Sequence, residues 1–119
     1  MEKIVIQTRK KHEVVPIDEE VNGALTRIEA KDGICHLFLE HTTAALSVAD
    51  MDPGAEEDYN DAFEELIPKL PYRHGHDSSH FPDHVLSAVV RPDLMVPVKD
   101  GKLKLGTWQR VVLIERNGP

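Results

Sequence analysis

Ile34-Cys35-His36-Leu37-Phe38-Leu39-Glu40-His41-Thr42-Thr43-Ala44-Ala45-Leu46-Ser47-Val48 contains two extended segments and a polar junction. The first, residues 34–40, alternates, and by composition its apolar face carries Cys35, Leu37 and Leu39. Continued by one step, the same face takes in His41, an imidazole at the end of a buried strand that needs a hydrogen-bond partner, a metal or a substrate. The second segment runs from Ala44 to Val48, with His41-Thr42-Thr43 at the corner.

Upstream, Lys31-Asp32-Gly33 reads as a turn. Before it, Asp18 is placed to cap a three-turn helix with Val21, Leu25 and Ile28 on one face. Residues 3–8 read as an opening strand, which Glu13-Val14-Val15-Pro16 continues or pairs with. Downstream, Asp52-Pro53-Gly54 breaks the chain ahead of a helix from Ala55 to Leu70. Tyr59, Phe63, Leu66, Ile67 and Leu70 form its apolar stripe, and Glu56, Glu57, Asp61, Glu64 and Glu65 its solvated face.

After an irregular segment, Pro82 is placed to open a short helix through Val89. Leu94 to Leu105 reads as a hairpin turning at Asp100-Gly101, and a last strand runs from Thr107 to Glu115. Strands at both ends and in the middle, joined by short turns, predict an antiparallel α+β fold with two or three helices in one domain spanning residues 1–119.

Composition narrows the partners. Val, Leu, Ile and Phe supply 33 of the 119 residues, above the roughly 20% below which a chain struggles to build a core. The net charge of −7, with Arg9-Lys10-Lys11 the longest basic run, argues against nucleic acid. No apolar run reaches the ~18 residues of a membrane span, and the N-terminus lacks a signal-like stretch. The lone Cys35 reads as a buried thiol in a reducing, cytoplasmic compartment.

Seven histidines stand out, four of them as His74, His76, His80 and His84. A loop can bend to supply two metal ligands while a strand supplies a third, and His41 is the natural third. The spacing matches no standard zinc signature. A solvated histidine-rich loop with one satisfied core histidine is the competing reading. Gly106-Thr107-Trp108-Gln109 also stands out, because packing explains the only tryptophan but not its small and polar neighbours.

Taken in order, His41-Thr42-Thr43-Ala44-Ala45-Leu46, Asp52-Pro53, Tyr72-Arg73-His74, His84 and Gly101-x4-Gly106-Thr107-Trp108-Gln109 resemble the YjbQ-like family, also named secondary thiamine-phosphate synthase. The resemblance covers nearly the whole chain. It implies packed antiparallel sheets, a homotrimer, and a site holding a divalent metal, zinc in several relatives. Carried across, the metal ligands are His41, His74 and His84, and nothing in the resemblance singles out His76 or His80. Thr42, Thr43, Ser79, Gly106, Thr107 and Trp108 are the expected substrate-binding residues, with Gly106 to Gln109 as the floor of the site. Ala49 stands where relatives usually carry asparagine, Ser79 is the nearest counterpart of another, and the familiar His-Leu-Lys-Ala is His84-Val85-Leu86-Ser87 here.

The activity implied is the joining of a pyrimidine diphosphate to a thiazole phosphate. The departing diphosphate needs a divalent cation and a basic group; Arg73 beside His74, Arg110 beside Gln109, and Arg91 are the candidates, and Arg73 and Gln109 are the expected catalytic residues. A zinc-dependent hydrolase of a small phosphorylated metabolite is the alternative, with Asp58, Asp77 or Asp83 as base. A non-enzymatic trimeric metal- or ligand-binding protein is the third reading.

Overall fold

Arg110-Val111-Val112-Leu113-Ile114-Glu115 is a strand with four consecutive buried residues, the pattern of a strand covered on both faces. The computed structural model, which describes residues 1–75 and 77–119, shows what covers it. Ten elements follow in order: β1 (Glu13–Pro16), α1 (Asp18–Arg27), β2 (Gly33–Phe38), β3 (Ala44–Ala49), α2 (Ala55–Leu66), a 3-10 turn (Ser78–His80), α3 (Phe81–Val90), β4 (Asp93–Lys99), β5 (Lys102–Leu103) and β6 (Arg110–Glu115). Two antiparallel three-stranded sheets result, ordered β1-β6-β3 and β2-β4-β5. The fold is α+β.

The first sheet is the middle layer. On one face Ala44, Leu46, Val111 and Leu113 meet Val96 and Val98 of the second sheet and Val21 and Leu25 of α1. On the other, Val14, Ala45, Val112 and Ile114 meet Leu86 of α3, with Tyr59 and Phe63 of α2 packed against them. Successive residues of β6 thus serve opposite cores, the period-two rule applied to a doubly covered strand. In β2 the alternation holds as read: Cys35 and Leu37 turn inward, Ile34, His36 and Phe38 outward.

Several expected boundaries move. Residues 3–8 form no ladder, although Ile4, Ile6 and Thr8 are half-buried between exposed neighbours. The edge of β6 is taken by β1 instead, in the register Glu13 opposite Glu115 and Val15 opposite Leu113. Asp18 begins α1 rather than capping it, because its carboxylate accepts from the Val111 N–H and pairs with Arg110. Ile28, beyond the helix end, is exposed. Helix α2 stops at Leu66, since the residue before Pro68 is driven to extended backbone (Ile67 φ −99°, ψ 118°). Leu66 and Leu70 are therefore exposed, while Tyr59, Phe63 and Ile67 pack on the core.

The acidic face of α2 is not wholly solvated. Glu56 accepts from the Val14 N–H (3.0 Å), and Glu64 accepts from the Arg116 guanidinium (2.6 Å). The hairpin turn matches its sequence. Asp100 (φ 53°) and Gly101 (φ 79°) both have positive φ, as a two-residue primed turn requires. A Cβ on Gly101 would lie 2.9 Å from the Ala30 carbonyl oxygen. No described helix is long and apolar enough to cross a membrane.

Candidate metal centre

The 3-10 turn Ser78–His80 runs straight into α3, placing His80 and His84 one helical turn apart on one side. His74, from the irregular segment, closes the third side. Ring centroids stand 4.9 Å apart for His74 and His80, 4.9 Å for His74 and His84, and 5.1 Å for His80 and His84. One nitrogen from each lies within 4.8 Å of the others. A tetrahedral ion holds nitrogens at about 2.0–2.1 Å, hence roughly 3.4 Å from one another. The rings stand near that arrangement.

His84 is the most firmly held imidazole of the three. Its Nδ1 lies 2.9 Å from the Thr42 carbonyl oxygen, a pure acceptor, so Nδ1 carries the proton and donates. Nε2 is left with its lone pair, buried and with no hydrogen-bond partner among the described residues. A carbonyl fixing one nitrogen while the other waits unpaired is how metal-binding histidines are oriented. The donor set and this orphaned atom fit a divalent ion.

His80 has its own support. The Asp77 carboxylate is 3.7 Å from His80 Nδ1. Both the hydroxyl and the N–H of Ser79 donate to Asp77, which holds that acid below the usual carboxylate range and keeps it charged beside the imidazole. Phe81 packs near His74 (5.3 Å) and His84 (5.5 Å) and against Tyr72 (5.0 Å), walling the cluster on its apolar side. Tyr72 is anchored by its hydroxyl, which donates to the Pro68 carbonyl.

The expected site residues are dispersed. His74 and His84 come together with His80, not with His41, which is exposed beyond the end of β2. His41 nevertheless adjoins Thr42, whose carbonyl holds His84. His76 lies outside the described residues. Thr43 is half-buried and its carbonyl accepts from the Arg116 N–H (3.2 Å). Ser79 supports Asp77, and Arg73 is exposed beside His74 in a shallow cleft with Leu70, Tyr72 and Phe81. Gly106 to Gln109 form a turn ahead of β6, closed by the Gly106 N–H donating to Gln109 Oε1 (2.8 Å). Thr107 and Trp108 are exposed there, and Asp58 is exposed on α2. None of these three lines either cleft described here. His80, one of the four histidines that stand out in the sequence, is not singled out by the resemblance, although its i, i+4 spacing from His84 was an available signal.

Comparison with known proteins agrees with this architecture. A UPF0047 protein of Archaeoglobus fulgidus is 32% identical over 118 residues, covering 98% of this chain and 91% of its own. YugU of Bacillus subtilis is 29% identical over 120 residues, covering 100% of this chain and 91% of its own. Among solved structures, a hypothetical protein of Aeropyrum pernix K1 superposes with TM-score 0.87 at 29% identity, over 96% of this chain and 86% of its own. A protein of unknown function from Sulfolobus solfataricus P2 gives 0.86 at 30%, over 96% and 83%. The chain belongs to the UPF0047 protein YjbQ-like family, whose pattern matches residues 2–119.

Proposed function

We propose that this chain is a metal-dependent enzyme acting on a small phosphorylated molecule, with a zinc-like ion held by His74, His80 and His84. One observation carries the reading: His84 keeps a buried, unpaired Nε2 while Thr42 holds its Nδ1, and its ring stands 4.9 and 5.1 Å from two further imidazoles. A bound divalent ion would supply Lewis-acid polarisation of a phosphoryl oxygen there. The rest is the protein's part. Thr42 orients His84, Asp77 orients His80, and Tyr72 with Phe81 offers an aromatic shelf for a flat ring. Arg73, beside His74, is placed to pair with a departing phosphate or diphosphate.

That combination suits the transferase reading, in which a carbon–oxygen bond to diphosphate breaks and a thiazole nitrogen forms the new carbon–nitrogen bond. The diphosphate leaves with the bonding electrons. Hydrolysis of a phosphorylated metabolite uses the same centre with water in place of the thiazole. The reading includes a homotrimer in the cytoplasm. Cys35, the single cysteine and without a disulfide, suits a reducing compartment.

The test is bound zinc, by elemental analysis, in single His→Ala variants after equal loading. His74→Ala, His80→Ala and His84→Ala should each lose most of the metal, and His41→Ala should keep it. Loss in His41→Ala with retention in His80→Ala would transfer the third ligand to His41. A wild-type protein that binds no zinc would overturn the centre. Protons compete for imidazole nitrogens, so occupancy should fall as pH drops through the histidine range. Turnover of a pyrimidine diphosphate with a thiazole phosphate, against release of phosphate alone, separates transferase from hydrolase.

A further inference from the structure

Helix α3 has a second neighbour. A cleft of about 350 Å³ lies between α2, α3 and the segment before β1, and none of the three clustered histidines lines it. Its floor is apolar, made by Phe63, Ile67 and Leu86, while Lys11, Lys69 and Arg116 bring positive charge to its walls. The volume is at the small end of what ligand clefts hold, and an apolar body with a few placed polar groups is their usual character.

The charges are organised. Arg116 is 4% exposed, its guanidinium donating to Asn60 (3.1 Å) and Glu64 (2.6 Å) and lying over the Phe63 ring. Asp83, 7% exposed, stands 3.9 Å from the same group. Arg116 is thereby committed to two carboxylates. Lys69 reaches Glu64 at 3.7 Å, whereas Lys11 meets no carboxylate at ion-pair distance among the described residues. Three permanent cations face two carboxylates, in a chain whose net charge is −7. Burial and then Arg116 lower the pKa of His12, favouring its neutral form.

We infer that this cleft binds a small monocarboxylate with a short apolar tail, the carboxylate on Lys11 and Lys69 and the tail on Phe63, Ile67 and Leu86. A single surplus positive charge matches a monoanion better than a doubly charged phosphate. An anion against an apolar floor also feels its cations more strongly than one in water. Tyr72 and Ser79 border both this cleft and the histidine centre, but no clustered histidine lines it, and binding here does not require metal there.

Amide chemical shifts of the full-length protein would be followed during titration with acetate, butyrate and inorganic phosphate, with and without zinc. Saturable shifts are expected at Lys11, His12, Phe63 and Glu64, with affinity unchanged by zinc. Butyrate buries two more methylenes than acetate and should bind roughly tenfold tighter. Lys11→Gln should weaken butyrate about tenfold, the loss expected for a charge-assisted contact. Lys104→Gln, an exposed lysine outside the cleft, should leave binding unchanged. Equal affinity for acetate and butyrate, phosphate binding tighter than butyrate, shifts confined to residues 74–84, or equal effects of the two lysine variants would each overturn the assignment.

Discussion

Arg116 shows how much one side chain near the chain end can organise. Sequence reasoning passed over it, since a lone arginine after an apolar strand carries no pattern. The fold buries it between α2 and α3, and Glu64, read as a solvated residue, becomes its partner. His12 lies close by, 3.6 Å from Glu64, and its pKa is lowered first by burial and then by Arg116. Asp83 is pushed the other way by burial, with Arg116 opposing. The two have opposite consequences for stability. For His12 the unfolded chain binds the proton more readily, so its contribution is fully present above pH 6.5 and is lost as pH falls towards the lowered folded value. For Asp83 the folded chain binds the proton more readily, so its contribution is fully present below pH 3.8 and is lost as pH rises through the raised folded value. His12→Asn should therefore reduce the loss of stability between pH 7 and pH 5 relative to wild type. Urea denaturation at a series of pH values reads this directly, and an unchanged pH profile would count against the burial of His12.

Among the elements, α2 separates what sequence can and cannot specify. Its stripe was legible because Tyr59, Phe63 and Ile67 recur at helical spacing, and these three do pack on the second core. Its length was overread. Leu66 and Leu70 continue the spacing, but Pro68 bars the helix from carrying it, and both leucines end exposed. Phe63 is half-buried rather than enclosed, so Phe63→Ala should cost about 1–3 kcal/mol, less than for a fully buried ring. Leu66→Ala should fall within about 0.5 kcal/mol of wild type. Similar urea midpoints for the two variants would refute that reading of the helix. The hairpin and the long strands were legible for a simpler reason: Asp100-Gly101 and the apolar run Val111 to Ile114 are local signals that tertiary packing reinforces. The histidine centre was only half legible. His74 and His84 stood out in the motif order. His80 stands four residues before His84, but that spacing places the two together only once the 3-10 turn is seen to run into α3 without a break.

At the scale of the whole molecule, the two sheets are finished differently. The β1-β6-β3 sheet is covered on both faces, while the outer face of β2-β4-β5 carries Ile34 (71% exposed), Phe38 (66%) and Met95 (65%), with nothing among the described residues to cover them. Register puts them on adjoining strands, Ile34 opposite Pro97, His36 opposite Met95 and Phe38 opposite Asp93, so they share one surface. Single exposed apolar residues are ordinary, but a group on one sheet face marks an association surface. The proposed homotrimer gives it an occupant, a further copy of the same chain, and closed symmetry would let every copy cover its neighbour without leaving a filament end. These side chains make little contribution to the monomer's own core. Phe38→Asp should therefore leave the secondary structure and the thermal transition of the isolated chain intact while abolishing assembly. Light scattering at micromolar concentration should return about three times the 13.4 kDa chain mass for wild type and one chain mass for the variant. A monomeric wild type at that concentration rejects the trimer. A variant that still assembles shows that a surface other than this sheet face holds the copies together.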